Sequence, residues 1–164
     1  MKNIFKQLYN IFPFKPAIFK ALKSIYTPNE NMYKHLHFKG RHNVKINPKA
    51  SFKINHFGFQ VENDIFWSGI FGNWEKDSLL LWSKLCAKSD VVFDIGANTG
   101  VYSLIAKSVN VNSSVYAFDP VQRVYDRLSE NISLPLLSMT PTLSPSPSKP
   151  KPISALLSLT AFDI

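Results

Sequence analysis

Two short apolar runs, 91–95 and 115–118, each hand over to a stretch in which apolar residues recur every three or four positions. After the first run come Val101, Leu104, Ile105 and Val109; after the second come Val121, Val124, Tyr125, Leu128 and Ile132. The spacing predicts strand, helix, strand, helix. A further helix precedes them, with Asn73 as its cap, Glu75 and Asp77 in its first turn, and Leu79, Trp82 and Cys86, with Leu81 and Leu85, on its buried face. Ser89-Asp90 ends it. Unbroken apolar strands in such an alternation predict an α/β fold with a parallel sheet covered on both faces.

Upstream the pattern differs. Residues 3–26 mix apolar and basic positions at spacings that suit two short amphipathic helices, broken at Pro13 and Pro16. From Phe38 to Val61 the period falls to two, through Val44 and Ile46, Phe52 and Ile54, then Phe57, Phe59 and Val61. Two or three short strands follow from this, with turns at Asn47-Pro48 and from His56 to Gly58. Downstream, six of the 18 residues from Pro135 to Pro152 are proline, interleaved with Ser and Leu, and no glycine follows Gly100. Such a tract suits neither a helix nor a central strand and reads as extended or disordered. The expected organisation is a basic helical and β region over 1–73, a strand–helix unit over 74–134 and a Pro/Ser/Leu-rich tail over 135–164. The parallel sheet on this reading stops after two strands.

Composition narrows the class. With 45% hydrophobic residues among 164, the chain is not disordered throughout, and its length suits one ordinary domain. A single cysteine, Cys86, excludes a disulfide scaffold or a Cys-based zinc site and reads as inert on a buried helix face. No uncharged apolar run is long enough to span a bilayer. Lys6, Pro13, Lys15 and Pro16 interrupt any signal-peptide core, so a cytoplasmic protein is expected, with membrane association open. The net charge of +8 is uneven: residues 1–53 hold 11 of the 19 basic residues and one acid, Glu30, whereas 54–164 carry 8 basic and 10 acidic residues. A basic arm suggests an anionic partner, such as a membrane surface or a phosphorylated substrate; a solvated Lys-rich face is the plainer alternative. A basic membrane-surface module without catalysis is thus one functional class open to this chain. Nucleic acid is disfavoured, because no recognised motif is present and the aromatics read as buried.

The second functional class rests on 94–100, Asp-Ile-Gly-Ala-Asn-Thr-Gly, placed where a strand hands over to a helix. Gly96 and Gly100 allow a sharp turn and close backbone approach to a ligand, and Asn98 tolerates a left-handed conformation. The N–H groups that open the next helix favour an anion such as a carboxylate. Asp119 lies 23 positions beyond Gly96 at the end of the next strand, where an acid can accept hydrogen bonds from ribose hydroxyls. A dinucleotide loop would need G-x-G-x-x-G, but positions 98 and 101 are Asn and Val.

The D-x-G-x-N-x-G run resembles the donor loop of class I S-adenosylmethionine-dependent methyltransferases. With Phe57-Gly58-Phe59, Phe66-Trp67, Asn73-Trp74-Glu75, VVFDIGANTGVYSLIAK and VYAFDPVQRVYDRLSENI, the stretch from about residue 30 to 134 is similar to the FkbM family of that class. The resemblance implies a partial Rossmann-like domain over 74–134 with S-adenosyl-L-methionine as cofactor. It implies that Asp94, Gly96, Ala97, Asn98, Thr99 and Gly100 surround the methionine part, and that Asp119 meets the ribose. Glu75 matches a family acid, although a first-turn helix acid is the simpler reading. Asp94 as a loop cap and Asp119-Pro120 as a strand-ending turn stay open as structural alternatives.

The acceptor implied is a small-molecule or sugar hydroxyl. The family pattern stops near Leu134, so the chain is expected to be truncated or frameshifted there and impaired as a catalyst. No catalytic base is assigned. A metal site is not expected: His35, His37, His42 and His56 cluster in sequence, but in a strand-like context without cysteine. Trp67, Trp74 and Trp82 read as packing, and Arg123 and Arg127 as a solvated face rather than an anion site.

Overall fold

A computed structural model describes residues 14–134 and the backbone of two short strands beyond them, Leu137–Ser138 and Ile153–Leu157. The helix expected over 3–12 and most of the tail lie outside the described residues. The second amphipathic helix is present as α1 (Lys15–Ile25), with Pro16 in its first turn, where a missing N–H costs nothing. Its buried Phe19 meets Phe38 and Trp67 at ring-centroid distances of 6.0 and 5.7 Å. A single turn, α2 (Glu30–Tyr33), follows, capped by the Asn29 side chain, which accepts the Met32 N–H at 3.1 Å.

Strands β1 (Gly40–Asn47) and β2 (Ala50–His56) form the expected antiparallel hairpin, turned where the Asn47 side chain accepts the Lys49 N–H at 2.8 Å. Val44, Ile46, Phe52 and Ile54 alternate onto its inner face. The expected third strand at Phe57, Phe59 and Val61 is instead a turn at Gly58 leading into helix α3 (Gln60–Ser68). The period-two reading fails there because Val61, Ile65 and Phe66 continue at helical spacing. The helix start is fixed by Glu62, whose Oε2 accepts the Phe59 N–H at 3.0 Å.

Helix α4 (Lys76–Cys86) begins later than expected. Glu75, in a left-handed conformation at φ 43°, is its cap, and the Asn73 side chain donates to the Tyr33 hydroxyl at 3.0 Å instead. Leu79 and Cys86 are buried as anticipated, but Leu81 and Leu85 are exposed, because the helix meets its neighbours along a narrower stripe. Strand β3 (Val91–Ile95), helix α5 (Val101–Val109), strand β4 (Ser114–Asp119) and helix α6 (Gln122–Ile132) match the periodicity. β3 and β4 pair in parallel from Val91 opposite Ser114 to Ile95 opposite Phe118.

The two remaining strands are β5 (Leu137–Ser138) and β6 (Ile153–Leu157). β5 extends the hairpin sheet to the order β1-β2-β5. β6 runs parallel to β4, giving β3-β4-β6. Among the described residues the parallel sheet therefore has three strands, and the expectation that none follows residue 134 is corrected: residues 153–157 contain no proline, so their N–H groups remain able to pair. Nor, among the described residues, is the sheet covered on both faces. Val92, Val115 and Ala117 are buried, with Cys86 and Ala106 packed against Val92 and Val115, whereas Val91, Phe93 and Ile95 are exposed on the opposite side. There Phe93 stacks on Tyr116 at 5.3 Å.

The largest core joins the two halves. Val44, Ile46, Phe52 and Ile54 of the hairpin pack with Ile65 and Ile70 and with Leu79, Val101, Leu104 and Ile105. This seam crosses the compositional break near residue 73 and holds α5 and the loop before it against the hairpin.

A glycine-turn cavity as candidate functional site

The turn between β3 and α5 is built from backbone hydrogen bonds. The Gly96 and Ala97 N–H groups both donate to the Phe118 carbonyl at 2.9 Å, and the Gly100 N–H donates to the Ala97 carbonyl at 2.8 Å. Following this path needs positive φ at Gly96 (79°), Asn98 (49°) and Gly100 (90°), two of which fall on glycine and one on asparagine. At Gly96 nothing lies within 4 Å of where a Cβ would sit, so the backbone there borders open space. At Gly100 a Cβ would come within 2.8 Å of Leu128 Cδ1, so α6 packs directly on the turn.

Asp119 supports this loop. One carboxylate oxygen accepts the Asn98 N–H at 3.1 Å and the other the Val121 N–H at 2.9 Å. Its side chain is buried and does not form part of the cavity wall described next. A second brace comes from Asn131, fully buried on α6. Its amide N–H donates to the Thr99 carbonyl at 2.7 Å, and its oxygen accepts the Asn55 N–H of β2 at 2.8 Å. One side chain thus ties the turn, the last helix and the hairpin together, and the sequence pattern offered no sign of it.

Beside the turn lies a cavity of about 620 Å³, within the size range of small-molecule sites. Asp94 and residues 96–99 form one side; Gly100 lies just behind, at the cap of α5. The structure thus places five of the seven residues singled out from sequence on one wall. The other walls bring in Glu62 from α3 and Tyr102 from α5, which carry no local signature, and Arg123 and Arg127 from α6. Arg123 is exposed, as a solvated face would be, whereas Arg127 is half-buried. Its guanidinium sits 4.5 Å from the Phe59 ring centroid and 5.6 Å from that of Phe57, within cation–π range.

Charge in the cavity is divided. Asp94 Oδ2 accepts the Ser103 hydroxyl at 2.5 Å; burial pushes this carboxyl upward, opposed by its hydrogen bonds from Ser103, while nearby Asp119 adds to the rise. Glu62 is fully buried, and burial raises its carboxyl too, against the pull of the Phe59 N–H. Glu75 Oε2 accepts the Tyr102 hydroxyl at 2.5 Å, and burial together with that acid pushes the phenol up to about 12. Buried acids thus line one space together with two guanidinium-bearing residues, a setting for a ligand carrying both a cation and an anion. The wall carries neither cysteine nor histidine. Among the described residues no group of three or more His, Cys, Asp or Glu is placed to hold a metal. His42 and His56 are core residues that pack against Phe38.

The fold and site define a mixed α/β chain whose parallel sheet presents a glycine turn to a polar cavity. No family model matches the sequence, and no curated protein does. Among solved structures the fold is similar to that of a SAM-dependent methyltransferase from Agrobacterium tumefaciens, with a TM-score of 0.35 and 16% identity over 56% of this chain. The match takes in 27% of that protein, so the chain spans only a minor part of its length. No helix among the described residues is long and apolar enough to cross a membrane.

Proposed function

We propose that the cavity beside the glycine turn binds S-adenosyl-L-methionine and that the chain is a methyltransferase of FkbM type, directed at a small-molecule or sugar hydroxyl. The observation that carries this reading is the turn itself. Its backbone is left-handed at positions 96, 98 and 100, and residues 96–99 border the same cavity as a buried acid, Asp94. The residues present fit such a ligand. Open space at Gly96 admits close approach, Asp94 and Glu62 suit an ammonium or sulfonium charge, and the turn's N–H groups with Arg123 and Arg127 suit a carboxylate.

When bound, the cofactor supplies a methyl group on a positively charged sulfur, open to in-line displacement by an acceptor oxygen. The chain's part is to hold and orient. Asn131 and Asp119 fix the turn, Ser103 fixes Asp94, and Tyr102 fixes Glu75. Neither an acceptor pocket nor a general base is assigned to any residue. Activity on a hydroxyl belongs to the proposal and rests on the resemblance of 91–132 to the family.

Calorimetric titration of the full chain with S-adenosylhomocysteine tests the reading. The expected result is saturable binding that weakens about tenfold or more in Asp94→Asn, the scale of one lost charge-assisted contact. Absence of saturable binding to a chain with a folded circular dichroism spectrum overturns it.

A further inference from the structure

The basic residues concentrated before position 54 are not spread evenly over the surface. Lys20 and Lys23 from α1, Arg41 from the edge strand β1 and Lys53 from β2 line a cleft of about 600 Å³, and among the described residues no carboxylate lies on its wall. The ammonium groups are positioned by the fold. Lys23 donates to the Phe66 carbonyl in the last turn of α3 and stands 5.0 Å from the Phe66 ring centroid. Lys20 donates to the Arg41 carbonyl at 3.3 Å. Each ammonium has three N–H groups, so further donors remain on both. Arg41 directs Nε to the Asn55 side chain at 3.1 Å, which leaves the outer end of its guanidinium for other partners.

A second observation comes from His42 on the same wall. It is 5% exposed, and among the described residues neither ring nitrogen has a hydrogen-bond partner. Burial, then the charges of His56, Lys23 and Lys20, hold the ring neutral down to about 3, so it offers one N–H and one lone pair rather than a fifth cation. A buried polar group left without a partner in a folded protein calls for an explanation. Capping of α3 accounts for Lys23, but not for Arg41, Lys53 or the unsatisfied imidazole.

We propose that this cleft is a binding site for the phosphate group of a ligand. A phosphate presents several strong acceptor oxygens and up to two negative charges, matching donors that converge from three separate elements. A carboxylate has two oxygens and a single charge and would leave most of these donors unused. The cleft is larger than a lone phosphate, so the group arrives on an organic body, either a soluble phosphate ester or a lipid headgroup.

The test uses the full chain with nitrogen-15-labelled histidine, titrated with inorganic phosphate at ionic strength fixed by chloride. A saturable shift of the His42 ring resonances is expected. Affinity is expected to fall about tenfold or more in Arg41→Gln/Lys53→Gln, whose side chains lie outside the apolar core, and to fall in Lys20→Gln on the exposed face of α1. Vesicles of phosphatidylcholine with and without phosphatidic acid separate the sources. Competition by the acidic vesicles assigns a lipid headgroup, and phosphate binding without such competition assigns a soluble ester. No saturable shift, or an unchanged affinity in the Arg41/Lys53 variant, overturns the proposal.

Discussion

Gly100 is fixed by two demands that coincide at one residue. Its φ of 90° disfavours any side chain, and a Cβ there would press to within 2.8 Å of Leu128 on α6. Gly96 faces only the first demand, since nothing lies within 4 Å of its Cβ position. Gly100→Ala is therefore expected to destabilise by about 2–4 kcal/mol, strain and overpacking together, and Gly96→Ala by about 1–2 kcal/mol from strain alone. Urea unfolding of both variants gives the order; a larger loss in Gly96→Ala would show that contact with α6 does not set the turn. The glycines, Asp94 and Asn98 were legible in the sequence because a tight strand-to-helix turn restricts its own residues. Glu62, Arg127 and Asn131 were not, because each reaches the turn from a distant element, and only packing brings them there. Asp119 stands between the two cases: its place at the strand end was foreseen, but both of its oxygens are engaged by backbone N–H groups.

Whole elements were legible where apolar spacing was unambiguous. β3, α5, β4 and α6 follow their periodicity closely. The run from Phe57 to Val61 alternates like a strand, yet it spans a turn and a helix start, and the capping by Glu62 that decides the matter is visible only in three dimensions. The hairpin supplies a pH-dependent case. His42 and His56 sit on its buried face, with values lowered from 6.5 to about 3 and about 4, in both cases chiefly by burial. The unfolded chain then takes up protons that the folded chain refuses. Stability from these two groups is full above pH 6.5 and is lost as pH falls toward their folded values. At pH 5 each costs on the order of 2 kcal/mol. Raised carboxyls at Asp94 and Glu62 act in the opposite sense, gaining stability as pH falls. His42→Phe fills the same aromatic site among Phe38 and Phe66 without a titrating group. Denaturant unfolding at pH 7 and pH 5 is expected to show a loss about 2 kcal/mol smaller in the variant than in the wild type. Equal losses would mean that His42 is not held neutral in the fold.

At the scale of the molecule, composition and structure divide the chain differently. The basic excess ends near residue 53 and the apolar pattern changes near residue 73, which suggests a boundary between a basic region and a strand–helix unit. The core does not respect it. Leu79, Leu104 and Ile105, each at most 1% exposed, are packed with the hairpin residues Val44, Phe52 and Ile54, and the Asn55–Asn131–Thr99 link ties the glycine turn to β2. A sequence pattern reports which residues are apolar, but not which partner covers them. A parallel sheet this small cannot bury the outer faces of its own helices. Removing 1–73 exposes those three side chains, at about 1.5–3 kcal/mol each, which approaches the roughly 5–15 kcal/mol of a whole domain. Residues 74–164 expressed alone are therefore expected to melt without a cooperative calorimetric transition and to show no saturable S-adenosylhomocysteine binding, although every turn residue is present. A sharp transition with ligand binding retained would show instead that the seam joins two units able to fold separately, and that the hairpin stabilises the turn without being required to form it.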